Sequence, residues 1–176
     1  MFQLHSSEDV LAEVVHSLRR DKPNADGSLI SGVRNAMTKV LDEIVEDFDG
    51  TVDYEGTDPN DRHVHAAAVA SKADILLTDD AGFARMAEQE TLSYEVYSAD
   101  EFFILVDDSA PTNVQRAVAE QRTFWDDRRK TGSPGRPLVE ALISSNCPEF
   151  AKRVDGHLRT LSGPTAINRK IVVPKR

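Results

Sequence analysis

The chain predicts an α/β domain, a parallel sheet sandwiched by helices, followed by a mostly helical carboxyl-terminal extension. Three observations carry this expectation. Ile75-Leu76-Leu77 is apolar without alternation, the pattern of a strand buried on both faces of a parallel sheet. Strand-like and helix-like stretches alternate from Thr51 to Val106, as βαβ units do. Beyond the acidic break Asp107-Asp108-Ser109-Ala110-Pro111 only helical patterns follow. The expected division is therefore a domain over 1–107 and an extension over 108–176.

Taken in order, Ser6 or Ser7 caps a helix running to about Arg20, with Val10, Leu11, Val14, Val15 and Leu18 on one arc. Glu13 falls at the edge of that arc, able to reach a cleft rim without entering the core. A turn at 22–27 precedes a long helix expected over 28–48, in which Ile30, Val33, Met37, Val40, Leu41, Ile44 and Phe48 recur at helical spacing. Gly50 stops it, and Thr51-Val52-Asp53-Tyr54 reads as a short strand.

Pro59 cannot extend a helix and an alanine-rich run begins at Ala66, so Asp61 stands where an N-cap belongs. After the strand at Ile75, a helix over 82–88, a strand over 94–97 and a closing helix over 99–106 complete the domain. The extension reads as helices over 112–130, 137–144 and 148–161, split at 132–135 and 146–148, with a final extended or loose tail at 169–174.

Thr78-Asp79-Asp80 falls at the carboxyl end of the Ile75 strand, where open α/β sheets place ligand sites. Carboxylates meeting there suit a hard divalent cation. Each acid has a plain structural alternative. Asp61 can serve only as a cap, Asp79 and Asp80 as turn acids, Glu13 as a surface acid, and Asp58 as the stabiliser of its own turn. His63 and His65 stand at i and i+2, which do not share a helix face, so that pair does not predict a zinc site.

The chain has 176 residues and a net charge of −9. Its single cysteine, Cys147, excludes an internal disulfide, fits a reducing cytoplasm and reads as a loop thiol. No apolar run approaches the length of a membrane span and no signal peptide opens the chain, so a soluble cytoplasmic protein without membrane contact is expected. The acidic balance opposes simple phosphate binding, yet it is uneven. Thirteen Lys and Arg side chains lie beyond Ser109, starting at Arg116, where they read either as solvated helix faces or as a surface for RNA or an acidic partner. Phe124 and Trp125 can likewise pack a core or stack bases. No dinucleotide fingerprint, phosphate-binding loop or nucleophile elbow is present in the sequence.

Asp61 with Val64 and Ala66 to Ala68, then Thr78 with Asp80 and Phe83, preceded by Ser6-Ser7-Glu8-Asp9-Val10-Leu11-Ala12-Glu13 and followed by Ser98-Ala99-Asp100-Glu101-Phe102-Phe103, resemble in order and spacing the PIN-domain family of metal-dependent ribonucleases, which includes VapC-type toxins. The resemblance covers roughly 1–105. It implies Mg²⁺ or Mn²⁺ held by Glu13, Asp61 and Asp80, with Asp79 beside them, and hydrolysis of RNA phosphodiesters. It further implies a toxin-like component with a cognate antitoxin, and a homo-oligomer. One departure stands out. Family domains begin with a D-x-N-x-L strand, and Met1-Phe2-Gln3-Leu4-His5 is too short and carries no acid. A member lacking its first strand is thus expected, which leaves open a catalytically inactive remnant or binding module.

Overall fold

In the computed structural model, residues 2–88, 92–132 and 135–162 are described, and the chain divides into two units, Met1–Tyr97 and Ser98–Arg176. The first unit opens with a short strand, β1 (His5–Ser6), where the sequence predicted none. It leads directly into helix α1 (Glu8–Asp21). Ser7 is the N-cap, in extended conformation, and its side chain accepts from the Val10 amide at 3.3 Å. Glu8 and Asp9 sit at the positive end of the helix and Arg19 and Arg20 at the negative end, the arrangement that the macrodipole favours. Leu11 is buried, and Glu8 meets Arg34 of helix α2 (Gly27–Thr38) through two contacts of 2.8 Å.

The long helix expected over 28–48 ends at Thr38. Continuing it would stack Asp42 on Glu46 and Glu43 on Asp47, like charges four residues apart on one face. The chain instead turns into strand β2 (Glu43–Ile44), parallel to β1. Asp42 fastens the pair. Its carboxylate accepts from the Leu4 amide at 2.8 Å, and its own amide donates to the Leu4 carbonyl at 2.8 Å.

The strand expected over 51–54 is likewise not formed. Asp49 accepts from both the amide and the hydroxyl of Thr51, at 2.8 and 2.7 Å, which closes a turn in place of a ladder. A single 3-10 turn (Pro59–Asp61) then leads into α3 (Arg62–Ala70), whose Ala66, Ala67 and Ala68 are buried.

Strand β3 (Ile75–Leu77) forms where the apolar run predicts it, but it is not buried on both faces: Ile75 and Leu76 are half-buried and Leu77 is exposed, and the strand belongs to a two-stranded pair. It lies parallel to β4 (Glu95–Tyr97), in the register Ile75 to Glu95, Leu76 to Val96 and Leu77 to Tyr97. Helix α4 (Ala81–Glu88) crosses between them and buries Phe83 and Met86. Among the described residues the unit is thus mostly helical, with two small parallel pairs in place of one continuous sheet. Leu11, Ile30, Val45, Phe83, Met86 and Tyr94 are its larger buried side chains.

The second unit begins where β4 ends. Ser98 and Glu101 form a reciprocal capping box for α5 (Ala99–Ser109). The linker expected over 107–111 is the last turn of α5 and a single residue, Ala110, before α6 (Pro111–Lys130). Helices α7 (Leu138–Ser144) and α8 (Pro148–Ser162) follow. Asn146 takes the left-handed conformation, φ 60°, at the break between them, a position that asparagine tolerates.

Val114, Val118, Cys147, Phe150 and Val154 form the core of this unit. Asp100 of α5 caps α8, accepting from the Glu149 and Phe150 amides at 3.1 and 2.8 Å. Buried Asp107 binds α8 again, through His157 at 2.7 Å and Arg153 at 3.3 Å. The expected tail at 169–174 lies outside the described residues.

Candidate active site

Four elements of the first unit converge around Asp61: α1 with Glu13, the turn at Asp58, the amino end of α3, and the carboxyl end of β3 with Asp80. Asp61 occupies the N-cap position of α3, yet its side chain makes no capping bond. Asp58 does that work one step earlier, accepting at 2.9 Å from both the amide and the side-chain nitrogen of Asn60. The Asp61 carboxyl is thereby left for other use.

It is half-buried, and it is held above its ordinary value of 3.8, first by burial and then by the negative charges of Asp80, Asp58 and Glu13, with His63 opposing. Burial and neighbouring negative charges both disfavour the ionised carboxyl. The fold brings Glu13, Asp61 and Asp80 into one electrostatic neighbourhood; Asp79 lies exposed next to Asp80. Asp58 joins the same neighbourhood while spending its Oδ1 on its turn.

Asp80 is positioned by its own turn. Its amide donates to the Thr78 hydroxyl at 3.1 Å, and its Oδ1 accepts from the Gly82 amide at 2.6 Å. Thr78 in turn donates its amide to the Tyr97 carbonyl, extending the β3–β4 pairing by one bond. A Cβ at Gly82 would stand 2.7 Å from Asp80 Oδ1, so glycine here leaves the carboxylate room to reach the Gly82 amide, and a larger residue would push it aside. Asp-x-Gly in the sequence is the signal that could have singled out Gly82.

Behind the acids lies an aromatic wall. Tyr54 packs against His65 and Phe83, with ring centroids 5.7 and 6.1 Å apart. Its phenol is pushed up by burial and then by Asp61, Asp80 and Asp58, which places it beside the same carboxylates. A Cβ at Gly56 would stand 2.1 Å from the Tyr54 hydroxyl, so the chain passes directly over the phenol. The Tyr54 hydroxyl is buried without a hydrogen-bond partner. Sequence reasoning missed this residue because it read 51–54 as a strand.

His65 is engaged with Tyr94 and with the backbone of Asp53. Its Nδ1 lies 2.7 Å from the Tyr94 hydroxyl, burial pulls its pKa down, and a backbone bond to Asp53 opposes that shift. Burial, with Tyr54 as a minor contribution, pushes Tyr94 up to about 12. His63 turns the other way. Its Nε2 is buried without a hydrogen-bond partner, 3.6 Å from Glu13 Oε1. The two histidines therefore do not share a face, as their spacing predicts.

Among the described residues no three His, Cys, Asp or Glu side chains stand close enough to enclose a metal ion by themselves. This excludes a closed structural cage but not Mg²⁺, which keeps several waters and takes one or two carboxylates together with substrate phosphates. Hard oxygen donors, their mutual repulsion and two orphaned buried polar atoms fit such an open cation site.

In the second unit, Trp125 is half-buried against Gly135, whereas Phe124 is 49% exposed, and the Arg128 guanidinium lies over both rings, at 5.5 and 5.8 Å from their centroids. Many neighbouring cations are engaged by acids of their own helix: Arg122 and Arg129 by Asp126, Lys130 by Asp127, Arg159 by Asp155. Those pairings favour solvated helix faces over a free basic surface.

Residues 1–82, a little under half of the chain, match the family model described as PIN domain. The match covers Glu13, Asp61 and Asp80 and supports the PIN-domain family for this part of the chain, with the nuclease-type function that the family implies in general. Comparison with curated proteins and with solved structures gave no match. No helix among the described residues is long and apolar enough to cross a membrane.

Proposed function

We propose that the protein is a PIN-type ribonuclease that uses Mg²⁺ or Mn²⁺ to hydrolyse RNA phosphodiesters, with Glu13, Asp61 and Asp80 holding the cation and Asp79 beside them. The observation that carries this reading is the half-buried Asp61 carboxyl, released from capping and crowded by Asp80, Asp58 and Glu13. A bound cation supplies charge neutralisation at the phosphoryl oxygens and an activated water. The chain contributes the rest. Gly82 and Thr78 orient the Asp80 carboxylate, Asp58 shapes the turn that presents Asp61, and Tyr54 closes the back of the site. The layered, helix-sandwiched sheet of the family belongs to the same proposal, with β1–β2 and β3–β4 as its visible parallel pairs.

The reading extends to partners, with a toxin-like role, a cognate antitoxin and a homo-oligomer. An open groove of about 660 Å³ along α1, lined by Val10, Val14 and Arg20 and reaching Glu13, offers a place for a covering segment next to the acids. Asp61→Asn is expected to abolish Mn²⁺-dependent cleavage of RNA while the protein stays folded; unchanged cleavage rejects the assignment. A second reading, a non-catalytic module that binds a protein partner, is favoured by the open character of the acid cluster. Calorimetric titration separates the two. Mn²⁺ binding tighter than about millimolar, some 4 kcal/mol, together with cleavage, excludes the non-catalytic module.

A further inference from the structure

We propose that Tyr54 is a positioning residue of the acidic site: its phenol hydroxyl donates to the Asp61 carboxylate once the site is loaded, and so fixes one of the two oxygens. The inference rests on the function proposed above and adds a residue to it.

The acids follow a pattern with one gap. Asp80 is oriented through its Oδ1, which accepts from the Gly82 amide at 2.6 Å. Asp58 is oriented through its Oδ1, which accepts from Asn60 at 2.9 Å twice over. Asp61 makes no capping bond, and among the described residues no hydrogen-bond donor holds its carboxyl. The acid at the centre of the cluster is the one without an orienting bond.

Tyr54 is the complementary orphan. Its hydroxyl is buried and has no partner, an arrangement that folded proteins avoid unless something compensates for it. Packing sets this donor between the elements that carry Asp61 and Asp80. The ring lies against His65 and Phe83, with centroids 5.7 and 6.1 Å away. His65 stands four residues after Asp61, one turn along the same face of α3, and Phe83 directly follows the glycine that holds Asp80. The chain at Gly56 crosses the hydroxyl closely enough that a Cβ there would stand 2.1 Å from it, which limits where the phenol can move. Burial holds the phenol proton on, and Asp61 is the foremost of the charges that do the same, so the group serves as a donor. In the loaded site a change of rotamer at Asp61 closes the bond and leaves the other oxygen to face the ligand.

The test uses the full chain and Mn²⁺ alone. In EDTA, Tyr54→Phe removes an unpaired buried hydroxyl and should leave the amides of Ala66 to Ala68 at least as protected from exchange as in the wild type. Titrated with Mn²⁺, the same variant should bind the ion about tenfold more weakly, the usual loss when an orienting group is removed. In an Asp61→Asn background, where the hydroxyl has no carboxylate to hold, Tyr54→Phe should change Mn²⁺ binding no further. Undiminished binding in Tyr54→Phe, an equal loss in the Asp61→Asn background, or a variant that is less protected in EDTA overturns the proposal and leaves the carboxylate site standing, with Tyr54 a packing residue. Absence of Mn²⁺ binding to the wild type overturns the metal-site reading and this proposal with it.

Discussion

Asp61→Asn has a second expected effect, opposite in sign to its effect on cleavage: in the absence of divalent cations it should make the first unit more stable. The Asp61 pKa is raised in the fold, by burial first and then by Asp80, Asp58 and Glu13. A raised carboxyl favours the protonated form, so no penalty exists well below its ordinary value of 3.8, and the penalty is complete once pH has risen past the folded value. At neutral pH the wild type carries all of it. Three like charges at a partly solvated site, each worth a few tenths of a kcal/mol and offset by His63, amount to about 0.5–1 kcal/mol.

The neutral amide removes that repulsion at unchanged size. Exchange of the buried amides of Ala66 to Ala68, measured in EDTA at pH 7, should slow about two- to fivefold in the variant, and the difference should vanish near pH 3. Added Mn²⁺ should reverse the order. A cation at 100 times its dissociation constant stabilises the wild type by about 2.7 kcal/mol, and the variant by far less. A variant no more protected than the wild type in EDTA would refute the crowding of these carboxylates.

Three further outcomes are expected. Asp107→Ala strands His157 in a buried setting and should lower the stability of the second unit by about 3 kcal/mol, whereas Asp108→Ala, at an exposed pair with Arg153, should cost under about 1 kcal/mol. Urea unfolding followed by the fluorescence of the single tryptophan, Trp125, compares them, and equal midpoints would contradict the difference in burial. Gly82→Ala should push the Asp80 carboxylate off the Gly82 amide and weaken Mn²⁺ binding about tenfold at little cost to folding; unaltered binding would remove Asp80 from the site. Because the pKa of buried His65 is depressed in the fold, its stabilising contribution is complete above the ordinary value of 6.5 and declines as pH falls below it. Amide protection in α3 should fall accordingly, and a flat profile between pH 7 and about 5 would contradict a neutral buried ring.

Much of the site was legible because its signals are local. Asp58, Pro59 and the alanine run mark the entry of α3, Ile75 to Leu77 mark a strand, although it is only half-buried, and Thr78 to Asp80 mark its end. Elements decided by distant partners were not. Helical spacing from Leu41 to Phe48 was real, but it lost to the pairing of 43–44 with 5–6 and to like charges that a helix would have stacked. His63 escaped notice because it was weighed only against His65, when its counterpart is Glu13, fifty residues earlier in the chain. Tyr54 was hidden by the expected strand, and its place beside the acids depends on a chain path that no local pattern encodes.

The division of labour between Asp58 and Asp61 bears on how this segment can vary. Where one aspartate must both start a helix and bind a ligand, each duty constrains the other. Here the first aspartate builds the turn and the second is left chemically idle by the fold. Position 58 should accept Asn, Ser or Thr, which begin turns by the same side-chain bond, whereas position 61 should accept none of them without loss of activity. Selection can then adjust the rigidity of the entry to α3 through one residue and leave the Asp61 carboxyl untouched.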